Sequence, residues 1–502
     1  MAEPRRLPLA GALVALVVLG SSWGQPGATT APASAAPQPS SAPVVAISSS
    51  WFCAGATEYP ASVAAGTLVF ANPGPSPVVG SVQLVTQLGY RRTVAVEVPE
   101  RGLVSLPETL PGLPGSSSDH WVGALVTLYG GLVSVNQVLS TVRGSTSQPC
   151  ASSAARQWYF PDGATLRNAW DEISLLNPYP QLAIADLSFT TELGREEPMD
   201  FQGIVVPAQG LTVVDLGSHL RRRQHIAVTV SARTGEVVAF QTEIVTAPPA
   251  GAPPRGTPGA MNPAVPVPGV TLVLGSSGPA PSLWWPAGGE GPGLTESYAV
   301  YNPNGAPSRL QLELRSASGA RGASALNLGP YGSTFLTTNG SPWALPGVLY
   351  AAHLVSTNGV GVVAERFVMS APPSPGRGLA VLLGESQAAS QWSITPGPAG
   401  LGLSERGLGL FGQARLALLN PGSASAVASV EVGQGRSLVP LEGAQDVSLA
   451  PGAPTLVGLP SSLDACPLVV RSSAPILIEQ DWTSSLRSVG TNLAPVAALT
   501  SP

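Results

Sequence analysis

Glu296-Ser297-Tyr298-Ala299-Val300-Tyr301-Asn302-Pro303 reads as a half-buried strand and its stop. Tyr298 and Val300 share one face, while Ser297 and Ala299 lie on the other, which is the period-two pattern of a strand with one covered side. Proline gives no amide to a sheet ladder. It also drives the preceding asparagine toward extended geometry, and that side chain can bond the turn that follows.

The pattern comes three times more: Leu68 and Phe70 before Asn72-Pro73, Ile173 and Leu175 before Asn177-Pro178, and Leu416 and Leu418 before Asn420-Pro421. Successive copies are roughly 100 to 125 residues apart, the size of one small domain. After each turn comes a second alternating run: Ile184 to Phe189, Arg309 to Arg315, and Ala426 to Val432. Each such run is expected to pair with the Asn-Pro strand as a hairpin. A later strand closes each copy, near Val133 to Val138, Val237 to Glu243, Val360 to Val368 and Ile476 to Asp481. Ahead of each Asn-Pro stands an aromatic mark, Trp51-Phe52, Trp158-Tyr159-Phe160, Trp284-Trp285 and Trp392, expected to plug a core.

The expected fold is therefore all-β, with tandem antiparallel β-sandwich modules of immunoglobulin-like size following an N-terminal hydrophobic segment. A propeller with one blade per repeat is the rival, but blades normally span about 40 to 50 residues. The expected boundaries are a signal peptide or N-terminal anchor over 1–24 and a Pro/Ser/Ala-rich stalk over 25–43. Modules follow at 44–150 and 151–246, a linker at 247–268, a third module at 269–370, a linker at 371–377 and a fourth module at 378–502. Runs at Gly269 to Gly275 and Gly378 to Gly384 are expected to open the third and fourth modules.

Composition agrees with this and excludes several chemistries. Charged residues make up 11% of the 502 residues, against about 25% in ordinary soluble proteins. With 57 Gly and 52 Pro, turns are frequent and long helices are disfavoured. The chain holds no Lys, so it lacks a phosphate-loop lysine, a pyridoxal Schiff base and a lysine nucleophile. A formal charge of -5 spread over 502 residues gives no footprint for nucleic acid, which would need a clustered basic face.

Arg5 and Arg6 precede an apolar stretch from Leu7 to Leu19, an export signal that is either cleaved or kept as an anchor. Membrane contact is expected through that segment alone, and the remainder is expected to be extracellular. Three cysteines in an exported chain read as one bridge and one spare thiol. Cys53 and Cys150, 97 positions apart, bracket the first module. Their bridge would constrain the unfolded chain by about 4 to 5 kcal/mol in the loop-entropy description. Cys466 is expected to be a small buried side chain.

The run Trp158-Tyr159-Phe160-Pro161-Asp162-Gly163, with Leu175-Leu176-Asn177-Pro178, Gly194 to Glu197, Val205-Val206-Pro207 and Gly235 to Phe240, resembles DUF5719, an exported actinobacterial family of unknown function. The resemblance implies an extracellular, non-catalytic role and brings no active site with it. The likeness is close in the second module and fair in the third. The first module departs at Cys53, and the fourth departs where Trp392 leads into Ser393 and Ile394.

No catalytic residue, metal ligand or cofactor site is expected. His219 and His225 form a close pair, but Arg221, Arg222 and Arg223 between them would repel a cation. That cluster suits either an anionic glycan or a solvated strand edge. Asp171 and Glu172, adjacent on a strand, would point to opposite faces, as would Glu196 and Glu197. Asn339-Gly340-Ser341 fits a glycosylation acceptor and, equally, a turn. His120 and His353 read as ordinary core or rim histidines.

Trp170 and Trp343 do not recur between modules and are the tryptophans expected to be exposed. The leading expectation is a non-enzymatic structural or interaction protein of the bacterial cell envelope. A binder of cell-wall glycan is the alternative, with a divergent secreted hydrolase behind it. Expected partners are cell-wall glycan or an envelope protein.

Overall fold

A computed structural model describes residues 40–41, 47–58, 64–110, 120–141, 144–246, 268–370, 378–395, 414–460, 463, 466–482, 492–495 and 497–499. The N-terminal apolar segment, most of the stalk and nearly all of both expected linkers lie outside the described residues. Residues from 35 onward belong to one compact unit.

The fold is all-β, built from several small, almost wholly antiparallel sheets. The helical pieces among the described residues are single 3-10 turns, Met199–Phe201 and Leu216–Ser218. In the third module one sheet runs, in spatial order, Ser282–Gly288, Tyr350–Ser356, Ser308–Ser316 and Arg321–Leu328. Its companion runs Ser333–Thr337, Leu294–Tyr301, Val363–Ser370 and Gly378–Leu383. Alternation on Ser308–Ser316 buries Leu310, Leu312 and Leu314 against Tyr298, Val300 and Trp285 between the two sheets. The second module likewise has two separate sheets; in the first the strands join into one eight-stranded sheet through the pairing of Thr57 with Ala65, and in the fourth the single long strand Leu468–Trp482 serves both halves.

The Asn-Pro positions end their strands as read, and each asparagine side chain makes the same set of bonds. Asn302 Nδ2 donates to the carbonyls of Ala306 at 2.8 Å and Gly329 at 2.9 Å, and its Oδ1 accepts from the Asn304 amide at 3.1 Å. Asn72 bonds Ser76, Val98 and Gly74, Asn177 bonds Gln181, Val206 and Tyr179, and Asn420 bonds Ala424, Leu449 and Gly422. These anchors explain a departure from the hairpin expectation. Leu294–Tyr301 and Ser308–Ser316 do not pair with each other; the pinned turn carries the chain over the end of the sandwich into the opposite sheet. Asn-Pro is therefore a crossover device as well as a strand stop.

A second departure concerns the expected opening strands. Gly269–Leu274 hydrogen-bonds to Val238–Val245 of the second module, and Gly378–Leu383 to Val363–Ser370 of the third. Each strand thus completes the module before it, so those modules extend past 246 and 370. Both runs are mostly apolar, with Thr271 the polar exception, and almost wholly buried on both faces, and the reason lies in what they meet. Gly144–Pro149 lies beside Gly269–Leu274, that strand beside Gly378–Leu383, that beside Asn492–Pro495, and the last beside Gly144–Pro149. The four modules close a circuit around these inner strands. With two sheets per repeat, a ring forms at a period too long for one blade per repeat.

Bonds cross every seam of the circuit. Thr242 Oγ1 donates to the Gly55 carbonyl at 2.7 Å, and Thr229 Oγ1 meets the Tyr301 hydroxyl at 2.9 Å. Arg366 pairs with Glu479 at 2.6 Å, and Ser134 Oγ meets Ser393 Oγ at 3.2 Å. Trp51, Trp158, Trp285 and Trp392 are all buried, as equivalent core plugs should be. The first, third and fourth cores are centred on Trp51, Trp285 and Trp392. The second core does not close on itself: around Phe160 and Phe240 it runs on into Ala54, Ala56 and Val85 of the first module and Phe367 and Leu379 of the third. Cys53 and Cys150 are disulfide-bonded, with their Cα atoms 4.8 Å apart.

Candidate functional site

The residues singled out in the sequence do not converge. His219 and His225 turn to different carboxylates, Asp200 at 3.1 Å and Asp162 at 3.0 Å. Arg223 is tied to Glu196 at 3.1 Å, and Arg195 pairs with Glu197. Arg221 and Arg222 are exposed. Trp170 is 56% exposed, whereas Trp343, expected at the surface, is half-buried against the third core. His120 is buried beside Glu58, and His353 stacks on Trp284 with ring centroids 3.7 Å apart. Asn339 is held in a turn, donating to the Leu294 carbonyl at 3.0 Å. Cys466 is a free thiol, half-buried against the fourth core. Among the described residues, no three His, Cys, Asp or Glu side chains are grouped to hold a metal.

A site does form at the seam between the second and third modules. On the third module, the sheet face turned away from the core carries Thr295, Ser297 and Ala299 on Leu294–Tyr301, beside Ser333, Phe335 and Thr337 on Ser333–Thr337. Ser297 stands opposite Thr337, and Ala299 opposite Phe335. The second module faces them with Asp162, just past Gln157–Phe160, and His225, just before Ile226–Thr234. Pairing of those two strands brings Asp162 and His225 together across 63 residues. The two faces border a half-open cavity of about 700 Å³.

The rim is fixed by Thr190 Oγ1, which donates to the Tyr331 carbonyl at 2.9 Å, and by the Arg195 guanidinium, 3.9 Å over the Tyr331 ring. His225 stacks on Phe335 at 4.5 Å. Burial works against a charged imidazole there, but the Asp162 carboxylate outweighs it and raises the His225 pKa.

Behind the cavity lie buried acids. Asp171 stands opposite Glu243 on the neighbouring strand, and Glu365 comes in from the third module. Burial holds all three carboxyls well above the usual carboxylate range. Gln241 donates to both Asp171 oxygens at 2.9 and 3.0 Å, and Gly163 makes room, since a Cβ there would lie 2.0 Å from Asp171 Oδ2.

The device recurs. Gln137 bonds both oxygens of buried Glu108, at 3.0 and 2.9 Å, and a Cβ on Gly66 would lie 1.9 Å from Glu108 Oε2. In the third module Glu296 accepts from the hydroxyls of Tyr298 and Tyr350. A carboxyl repeated inside several cores and bonded to a neighbouring side chain is part of the fold's packing. Glu172, opposite in direction to Asp171, faces Asp215 across the strand pair instead. A hydrolytic triad would require a hydroxyl on the second imidazole nitrogen. Among the described residues, none bonds His225 Nε2.

Sequence reasoning missed the site because Ser297, alternating on its strand, reads as part of a solvated face, and Thr295 and Ser333 carry no motif that singles them out. The available signal was Asp162-Gly163 inside the aromatic motif.

Residues 123–271 match the model of a family of unknown function, DUF5719. The match runs from within Trp121–Tyr129 of the first module through the second and into its last strand, Gly269–Leu274. No curated protein matches the chain. Among solved structures, a Streptomyces avermitilis α-L-rhamnosidase complexed with L-rhamnose is 12% identical, covering 72% of this chain and 45% of that one, at a TM-score of 0.13. The chain thus spans less than half the length of that enzyme. A tetra-tandem repeat from the extending region of a large adhesion protein is 9% identical, covering 90% and 100%, at a TM-score of 0.11. Likenesses at this level carry no argument about function.

The disulfide suggests an oxidising environment. Among the described residues, no helix is long and apolar enough to cross a membrane.

Proposed function

We propose that the protein is a non-enzymatic, exported structural or interaction component of the bacterial cell envelope. One observation carries this reading: four modules close a stapled circuit in which the glutamine-bonded buried acids Glu108 and Asp171 are set into module cores. Such a body keeps its surfaces in a fixed relation, which suits holding partners. Export rests on Arg5, Arg6 and the apolar run after them, and cell-wall glycan or an envelope protein is the partner class. Full-length protein mixed with isolated actinobacterial cell wall should sediment with it and release no reducing sugar. Protein that stays in the supernatant, or that liberates soluble sugar, overturns the reading.

Glycan binding is the second reading, favoured by the hydroxyl-lined seam between the second and third modules. The exposed Trp170 and the Arg221 to Arg223 run lie outside the residues lining that seam.

A further inference from the structure

We infer that the seam between the second and third modules is a binding site for a neutral sugar ring of a glycan. The inference rests on the glycan reading above and names its site and ligand class.

The reasoning begins with what an ordinary module seam looks like in this molecule. Between the first and second modules the buried facing side chains are mostly apolar, with Leu176, Leu211 and Phe240 in one cluster with Ala54, Ala56 and Val85, and polar contact comes from Thr242, which bonds the Gly55 carbonyl, and Arg91, which bonds the Ala208 carbonyl. Between the second and third, the same sheet face carries hydroxyls and stands off a cavity of about 700 Å³. That volume lies within the roughly 300–1,000 Å³ of small-molecule sites.

Unused hydrogen-bonding capacity lines the cavity. Ser297 and Thr337 bond each other at 3.1 Å, but the side chains of Gln224, Thr295 and Ser333 have no hydrogen-bond partner among the described residues. A polyhydroxyl ligand offers matching donors and acceptors, while Phe335, Met369 and Pro161 give its C–H faces apolar contact.

Charge narrows the class. No arginine lines the cavity, so sulfate or phosphate groups find no fork there. Of its two carboxylates, buried Asp162 already holds His225, and Glu192 is exposed to solvent with its charge also facing His225, leaving little for a cation. A neutral ring fits what remains.

Saturation-transfer NMR on the full-length protein, with methyl glycosides of glucose, galactose, mannose and arabinose beside glucuronate as the acidic control, tests this. At least one neutral glycoside should receive saturation while glucuronate does not. Ser333→Trp, which fills the cavity from a half-exposed edge strand, should weaken that binding by about tenfold or more, and Trp170→Ala should leave it unchanged. Thr295→Val removes a hydroxyl without bulk and reads the same site should Ser333→Trp melt early. No transfer to any neutral glycoside, or transfer undiminished in both seam variants, overturns the inference. Wall sedimentation separates the two levels. Sedimentation without glycoside binding leaves the envelope reading standing and removes the seam, whereas glycoside binding without sedimentation does the reverse.

Discussion

Leu176 and Tyr301 hold equivalent places, each the residue before its Asn-Pro, yet their seams are built differently. Leu176 is buried and sits where only glycine is opposite, since a Cβ on Gly123 would lie 3.0 Å from its Cδ1. Gly55, in a left-handed conformation at φ 97, lets the first module close further, and a Cβ there would meet Thr242 Oγ1 at 2.6 Å. Tyr301 instead reaches its partner module through its hydroxyl, to Thr229 at 2.9 Å, and its seam keeps the cavity. One strand design thus yields a dry contact or a wet one. The side chains on the outward face decide which.

The largest way to break the comparison is at the dry seam. Leu176→Ala should lower stability by about 2–5 kcal/mol in denaturant titration, because a buried leucine leaves a cavity. Tyr301→Phe should cost only about 1 kcal/mol, one net hydrogen bond. Equal losses would erase the distinction between the seams.

The asparagine anchors should respond alike whichever seam they border. Asn302→Ala and Asn177→Ala are each expected to cost about 2–3 kcal/mol, since buried carbonyls lose their donor. A neutral result for either would show that the crossover is held by proline alone.

Acidity probes the buried acids shared by both regions. Burial raises the Glu108 pKa from an ordinary 4.5 to about 8, against the pull of the Gln137 amide. Between those values the unfolded chain releases a proton that the folded chain keeps, so stability falls as pH rises through that window and levels off above it. Glu108→Gln should flatten part of that slope in melting curves taken across the window. A slope unaltered by the substitution would place Glu108 outside the effect. Smallest of all, Thr295→Val in the wet seam should shift stability by no more than about 0.5 kcal/mol, as a half-exposed hydroxyl without a protein partner should. A larger loss would mean that the seam is load-carrying packing.

Much of the fold was legible because it is local. Period-two alternation marks Ser308–Ser316, proline marks the strand stops, and Trp51, Trp158, Trp285 and Trp392 mark the cores. The cysteine count pointed to Cys53 and Cys150. What escaped was set by neighbours distant in sequence. Gly269–Leu274 and Gly378–Leu383 look like opening strands because they follow the linkers, and nothing in their residues tells which sheet they will join. The Asn-Pro turn resembles a hairpin turn until the asparagine bonds are known. Ser297 reads as solvated because a strand pattern distinguishes covered from uncovered, without saying whether another module stands over the uncovered side.

Closure of the circuit is tested most directly at the seam joining the fourth module back to the first. Ser134 and Ser393 are buried with their hydroxyl oxygens 3.2 Å apart. With Ser134→Cys and Ser393→Cys introduced together, mild oxidation of the folded protein should yield one new disulfide, found by mass spectrometry as a peptide linking residues 134 and 393. Two free thiols that persist in folded, oxidised protein would contradict the closed ring.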